Sequence, residues 1–204
     1  NIVLPYSQIV RNILATVSEM GLEIDMIAPD HGLVWRSHVD KILDAYDRWS
    51  RQEARAKAVV VFDTMWGSTE AMARAIADGL NAGGVAARLF SLESSHRADV
   101  MTEMLDSKGV VVGSSTLNNN MLPRMADMLT YMKGLRPAGK VGAAFGSYGW
   151  GGESVKQIGS ALEEMQVSLV QGSGLRANYV PTAEDLAACE SLGREVAEAI
   201  SSSV

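Results

Sequence analysis

The segment that most constrains the fold is the apolar run Val59–Phe62, which passes through Asp63 into a turn and then a helix. Four apolar residues without a polar alternate indicate a strand buried on both faces, as in the parallel sheet of an α/β domain. Strand and helix patterns alternate from there on. Strands are predicted at 58–63, 85–91, 109–113, 140–146 and 167–171, and helices at 68–81, 97–106, 121–133, 152–164 and 182–201. This alternation predicts a doubly wound, five-stranded parallel sheet of order 2-1-3-4-5.

The turn after the first strand carries three hydroxyl side chains, Thr64, Ser68 and Thr69, around Gly67. The first backbone N–H groups of the following helix point into the same turn, which makes it a potential anion cradle. Neither the lysine of a nucleoside-triphosphatase P-loop nor a GxGxxG motif is present, so the pattern favours a phosphate monoester held by hydroxyls and amides. The alternative is an ordinary N-capped helix after a strand.

Two further loops follow predicted strands at the edge where open α/β sheets bind ligands. The second loop contains Ser115, Thr116, Leu117, Asn118 and Asn119, and the third contains Ser147, Tyr148, Gly149, Trp150, Gly151 and Gly152. The second offers hydroxyl and amide groups. The third places two aromatic side chains on a glycine-rich backbone that a flat ring can approach closely, although such aromatic residues can also simply pack a loop.

In this order the three loops resemble the FMN loops of a flavodoxin domain, and more narrowly those of the flavodiiron proteins, the A-type flavoproteins. The resemblance implies a flavodoxin-like domain over residues 57–204. It also implies FMN contacts from the second and third loops and from the whole first turn, which consists of Thr64, Met65, Trp66, Gly67, Ser68 and Thr69. Trp66 is expected to shield the phosphate, Trp150 and Tyr148 to cover a face of the ring, and Leu117 to lie against its dimethylbenzene side.

Residues 1–55 resemble the end of the other domain of that family, a metallo-β-lactamase-like domain with a diiron centre. The pattern predicts a helix over 5–20, a strand over 22–28 and a helix over 37–55. A loop histidine, His31, lies between Asp30 and Gly32. Alone it is weak evidence for a metal ligand or a base, but the resemblance assigns it as the last diiron ligand. No HxExDH motif is present, so we expect no complete diiron site and a chain that begins within a longer protein.

The resemblance implies that FMN receives electrons from rubredoxin or a flavin/rubredoxin reductase and passes them to a diiron site that reduces O₂ to water or NO to N₂O. It also implies a head-to-tail homodimer, in which this chain supplies the electron-transfer part. One alternative is a free-standing flavodoxin-type electron carrier. A phosphoacceptor receiver module is disfavoured because it needs an acidic pair after the first strand and an Asp at the end of the third, where this chain has Gly113 and Ser114.

Composition sets the remaining limits. The net charge of −6 argues against a basic nucleic-acid binder, and no apolar run approaches a membrane span, so a cytoplasmic protein is expected. The single cysteine, Cys189, excludes an internal disulfide and is expected to be buried.

The basic residues nearest the loops, Arg74 and Arg124, are expected several positions inside helices, which leaves the site short of positive charge. Four methionines are expected in the core: Met72, Met125, Met128 and Met132.

Overall fold

The computed structural model describes residues 2–203, which form two compact units. One unit ends at Glu53 and the other begins at Ala54. This division lies close to the limit expected between residues 55 and 57. None of the described helices is long and apolar enough to cross a membrane.

The first unit is mainly helical. It contains a 3-10 turn at Leu4–Tyr6 followed by helices α1, Ser7–Glu19, and α2, Val39–Ser50. The strand predicted over residues 22–28 is wrong, because this segment forms only a single antiparallel bridge between Ile27 and Trp35. Two backbone hydrogen bonds, 3.0 and 2.8 Å, close that bridge. A strand requires a ladder of such bonds with a neighbour, and alternating side chains cannot supply it.

The second unit is an α/β domain around a parallel sheet. Its strands are β1 Arg55–Asp63, β2 Ala86–Ser91, β3 Ser107–Ser114, β4 Thr116–Leu117, β5 Asn120–Met121, β6 Val141–Tyr148, β7 Ser168–Leu169 and β8 Leu175–Asn178. Its helices are α3 Ser68–Ala82, α4 Arg97–Met104, α5 Pro123–Leu135, α6 Glu153–Glu164 and α7 Ala183–Ser201. The main sheet has the order β2-β1-β3-β6-β7, which confirms the predicted order 2-1-3-4-5.

The fifth predicted strand, 167–171, is shorter than expected, because β7 covers only Ser168–Leu169, and it is followed by β8, which was not predicted. β7 pairs with the start of β6, and β8 rejoins the end of β6 in parallel register, with Phe145 opposite Leu175. Between them the chain bulges away, and Ser173 and Gly174 both bond to the backbone of Ala144, Ser173 through its hydroxyl. The bend at 172–174 therefore separates β7 from β8, and β8 extends the sheet edge by four residues.

Helices cover both faces of the sheet, as the apolar run in β1 predicted. Val60 and Phe62 face a core shared with α3 and α7, whereas Val59 and Val61 face a core shared with α4, α5 and α6. The four methionines expected in the core are fully buried, and so is Cys189. The parallel pairing of β1 with β3 and of β3 with β6 places the carboxyl ends of these strands next to one another.

A lysine is buried at the opposite edge of the sheet. Lys140 donates from Nζ to the carbonyl oxygens of Met104 (2.9 Å) and Ser107 (2.6 Å), at the end of α4. Burial lowers the pKa of Lys140 from 10.5 to about 8, while the neighbouring Asp106 opposes the shift. The folded protein therefore releases this proton at a lower pH than the unfolded chain does.

We expect this difference to make the folded state more stable as pH rises from about 8 to 10.5. In that interval the unfolded chain binds more protons, so the gain from this group is roughly 2 to 3 kcal/mol at most. Urea unfolding at several pH values should show that the stability of the wild type relative to Lys140→Met increases over this interval. Cys189, with a pKa raised by burial to about 12, has the opposite effect above pH 9. Because both proteins contain Cys189, its effect cancels in the difference, and equal slopes would contradict the prediction.

Candidate functional site

The three predicted loops meet at the carboxyl edge of the sheet. β1, β3 and β6 are adjacent, with Asp63 opposite Ser114 and Gly113 opposite Phe145. The segments that leave these strands therefore start side by side. This juxtaposition follows from the strand order and the parallel direction of the strands.

A buried triangle of hydroxyl groups joins the loops. Thr69 Oγ1 lies 2.9 Å from Ser115 Oγ and 2.9 Å from Ser147 Oγ, and the two serine oxygens are 3.2 Å apart. Thr69 is the second residue of α3, Ser115 directly follows β3 and Ser147 lies near the end of β6. Each comes from a different one of the three predicted segments, and all are buried. The sequence predicted that the loops converge. The structure adds that the Thr69 hydroxyl points inward and links them.

The first loop forms an open turn at the start of α3. The N–H of Gly67 donates to Thr64 Oγ1 (3.1 Å), and Gly67 has φ +88°, which suits glycine. No atom lies within 4 Å of where a Cβ on Gly67 would be, so the turn is open on that side. The first intrahelical bond is from Ala71 N to Gly67 O, which leaves the preceding N–H groups of α3 outside the helical ladder. Together with the half-buried Ser68, these groups form a cradle for an anion.

The second loop is a hairpin that the sequence analysis did not foresee. β4 and β5 pair antiparallel around Asn118 and Asn119, whose φ values of 50° and 61° are typical of a type I′ turn. The side chain of Gln157 on α6 holds the hairpin through three hydrogen bonds of 3.0–3.1 Å to its backbone and to the Asn120 side chain. Leu117 is left partly exposed on this hairpin.

Ser154, in the first turn of α6, also ties the second loop. Its hydroxyl lies 2.7 Å from Thr116 Oγ1 and donates to the carbonyl of Ser114 (3.2 Å). Ser114 Oγ in turn accepts from Leu122 N (2.9 Å). Sequence reasoning missed Ser154, because its role depends on strand register, although its place directly after the third loop was a usable signal.

The third loop exposes one aromatic ring and covers the other. Trp150 is 93% exposed, whereas Tyr148 is half-buried with the Arg176 guanidinium 5.7 Å from its ring centroid. Gly152 has φ +78° and begins α6. Beside it, Glu153 Oε2 is buried and has no hydrogen-bond partner among the described residues. A ligand with O–H or N–H groups would satisfy such an oxygen.

An ion pair between a buried carboxylate and a half-exposed arginine supports the first loop. Arg124 Nε and Nη2 donate to the two carboxylate oxygens of Asp63 at 3.1 and 2.9 Å. The Asp63 side chain is 2% exposed and that of Arg124 is 51% exposed. Arg124 was expected several positions inside a helix, but α5 begins at Pro123, so Arg124 lies in its first turn. Proline is common at the first position of a helix, and this signal could have placed the boundary correctly.

We expect Arg124→Ala to lower the free energy of unfolding by about 1 to 3 kcal/mol, because it leaves a buried carboxylate without its partner. The lower part of this range reflects the exposure of the arginine, since water can reach the vacated space. Chemical denaturation provides the measurement. The control is Arg194→Ala, which removes an exposed pair with Glu190 and should cost no more than about 0.5 kcal/mol. Equal losses in the two variants would show that the Asp63 pair contributes no more than a surface pair.

The edge is suited to a flat aromatic ligand. Trp66 and Trp150 are 92% and 93% exposed, and Met65 and Leu117 are also exposed. Large apolar side chains that are exposed on loops carrying polar groups are typical of a binding site. The anion cradle, the hydroxyl-rich hairpin and the unpartnered Glu153 oxygen fit a ligand that carries a phosphate, hydroxyl groups and a ring. The residues present therefore fit a flavin mononucleotide.

His31 lies on an exposed turn of the first unit, between the bridge partners Ile27 and Trp35. Within residues 2–203, no group of three or more His, Cys, Asp or Glu side chains is arranged to hold a metal ion. The assignment of His31 as a metal ligand remains a prediction.

Comparison with known proteins is consistent with this geometry. Residues 60–193 match the family model described as Flavodoxin. The chain is 44% identical to a nitric oxide reductase of Moorella thermoacetica, over 98% of this chain and 50% of that protein. Its structure matches the rubredoxin oxygen:oxidoreductase of Desulfovibrio gigas with a TM-score of 0.92 and 33% identity, over 98% of this chain and 50% of that one. The match to the flavodiiron protein of Giardia intestinalis has a TM-score of 0.84 and 30% identity, over 97% of this chain and 49% of that one.

The chain thus spans about half the length of these relatives. The family model lies within the second unit, whereas the similarity to the longer proteins extends over both units. The chain therefore belongs to the flavodoxin family, and along almost its whole length it is similar to one half of a flavodiiron protein.

Proposed function

We propose that this chain binds FMN in the three-loop site and serves as the electron-transfer part of a flavodiiron oxidoreductase. The observation that carries the proposal is the triangle of Thr69, Ser115 and Ser147, which joins an anion cradle, a polar hairpin and an exposed indole into one site. The match to the flavodoxin family supports the same cofactor.

In this proposal each loop holds a different part of the cofactor. Ser68 and the first N–H groups of α3 bind the phosphate, with Gly67 leaving room for it. The hairpin of residues 116–121 and the carboxylate of Glu153 bind the hydroxylated chain and the polar ring edge. Trp150 and Leu117 cover the ring and exclude water from it. When bound, FMN supplies one-electron and two-electron redox chemistry.

Charge near the site bears on the reduced cofactor. The expectation of a site without nearby cations needs correction, because Arg124 pairs with Asp63 and Arg176 lies over Tyr148. The Asp63 carboxylate neutralises Arg124. Arg176 is the cation that remains beside the third loop, and in the proposal it favours negative charge on the ring there.

The complete reaction requires more than this chain. We propose that electrons come from rubredoxin or a flavin/rubredoxin reductase and pass to a diiron site that reduces NO to N₂O or O₂ to water in the cytoplasm. His31 would be one iron ligand, in a segment that ends a metallo-β-lactamase-like domain over residues 1–55. A head-to-tail homodimer would bring FMN close to the iron of the other subunit. The names of the matched nitric oxide reductase and rubredoxin oxygen:oxidoreductase support these roles.

The test is a fluorescence titration with FMN and with riboflavin, which lacks the phosphate. We expect one FMN per chain and a dissociation constant at least tenfold higher for riboflavin, because hydrogen bonds to a charged phosphate contribute about 1.5 kcal/mol or more. Equal affinity for both would contradict the phosphate cradle. The absence of saturable binding would contradict the proposal as a whole.

A free-standing flavodoxin-type carrier is the second candidate, because the family match and all three loops lie within the second unit. Intact mass, iron and flavin content of the purified material separate the two. A co-purifying polypeptide with about two irons and one FMN per pair would support the flavodiiron assembly. If the chain is alone, it should bind FMN without reducing O₂ or NO, and full reduction by the chain alone would contradict the division of roles.

A further inference from the structure

A fourth segment, residues 178–182, reaches the same edge of the sheet as the three loops. β8 runs parallel to β6 with Tyr148 opposite Asn178, so the chain leaves β8 beside the third loop. The backbone N–H of Tyr179 donates to Tyr148 O at 2.8 Å. The side chain of Asn178 donates to the carbonyls of Tyr148 and Gly149 at 3.4 and 3.2 Å. The third loop is thus attached to this segment.

The ring of Tyr179 packs directly on the third loop. A Cβ on Gly149 would lie 3.3 Å from Tyr179 Cε1, so the ring lies against the backbone of Gly149. The same ring meets the Trp150 indole edge to face, with a centroid separation of 6.5 Å and an interplanar angle of 71°. This is a favourable arrangement for an aromatic pair.

Core packing does not explain this tyrosine. Tyr179 is 59% exposed, and the next residue, Val180, is also exposed. Its φ of 57° is rare for a bulky residue. Among the described residues, the ring of Tyr179 is the aromatic ring in contact with the Trp150 indole.

We propose that Tyr179 is a positioning residue that holds Trp150 and the backbone of Gly149 in the geometry that receives the cofactor ring. This inference rests on the proposed binding of FMN. It adds Tyr179 to the site, which the sequence did not indicate because no strand was predicted at β8.

The test compares Tyr179→Ala, Tyr179→Phe and the neighbouring control Val180→Ala. Loss of the ring should weaken FMN binding by up to about tenfold, the range that an aromatic pair supports, and change the visible circular dichroism of bound flavin. Tyr179→Phe keeps the ring and should restore both the affinity and the spectrum. Val180→Ala should leave both unchanged.

A double-variant cycle with Trp150→Ala shows whether Tyr179 acts through the indole. We expect Tyr179→Ala to weaken binding much less in the Trp150→Ala background than in the wild type. Fully additive losses would overturn the inference, as would a Tyr179→Ala protein with wild-type affinity and spectrum. If the wild type itself binds no FMN, the proposed function fails, which distinguishes the two failures.

Discussion

Gly193→Ala is expected to destabilise the second unit by about 4 kcal/mol, above the usual range for overpacking, because the clash is with backbone. A Cβ on Gly193 would lie 2.2 Å from the carbonyl oxygen of Ile76 and 2.8 Å from the N of Leu80. The reciprocal position is as tight, since a Cβ on Gly79 would lie 2.0 Å from Glu190 O. Helices α3 and α7 therefore touch glycine to glycine, and a methyl group must push them apart.

Urea unfolding measures this loss, and Gly159→Ala is the matched control. Gly159 lies inside α6 and has no atom within 4 Å of where its Cβ would be. Alanine is the better helix former, so this variant should be more stable by about 0.5 to 1 kcal/mol. If Gly193→Ala unfolds at the wild-type urea concentration, the close contact between α3 and α7 is wrong.

Ser68→Asp is expected to weaken FMN binding at least a hundredfold while leaving the fold intact. Ser68 is the first residue of α3, where a carboxylate interacts favourably with the helix dipole, so stability should not fall. The same carboxylate would face the phosphate, and two charges at about 4 Å repel by about 4 kcal/mol at an effective dielectric constant near 20. Riboflavin, which has no phosphate, should lose much less affinity.

Fluorescence titration measures both affinities, and thermal unfolding reports the fold. The control is Ser160→Asp, which adds the same charge at an exposed position on α6. It should change FMN binding by less than about twofold, since distant surface charges are screened by salt. An unchanged FMN affinity in Ser68→Asp would exclude the first turn of α3 as the phosphate site.

The sequence was sufficient to predict the sheet and the three loops. The run Val59–Phe62 has no polar alternate, and it is buried on both faces. Each loop follows a strand of this kind, so the strand order alone brought the loops to one edge. The strands are recognisable from local composition, and the strand order follows from their alternation with helices.

The contacts between the loops could not be predicted in the same way. The Thr69 triangle joins residues separated by 46 and 78 positions, and the Asp63 to Arg124 pair spans 61. Such contacts depend on the register between strands and on where a helix starts. Side-chain direction was missed for the same reason, since Thr69 points into the protein although it belongs to the predicted cradle.

Two backbone features also needed three-dimensional context. Residues 22–28 alternate like a strand, but only Ile27 finds a backbone partner, Trp35. The bend at 172–174 follows β7, and after it β8, which was not predicted, continues along β6. That extension carries Tyr179 to the site.

A crystal structure of the chain with FMN tests the central claim most directly. We predict the phosphate against the first turn of α3, within hydrogen-bonding distance of Ser68, and the ring beside Trp150 between the second and third loops. A flavin bound elsewhere, or a phosphate that does not contact the first turn of α3, would contradict the three-loop site.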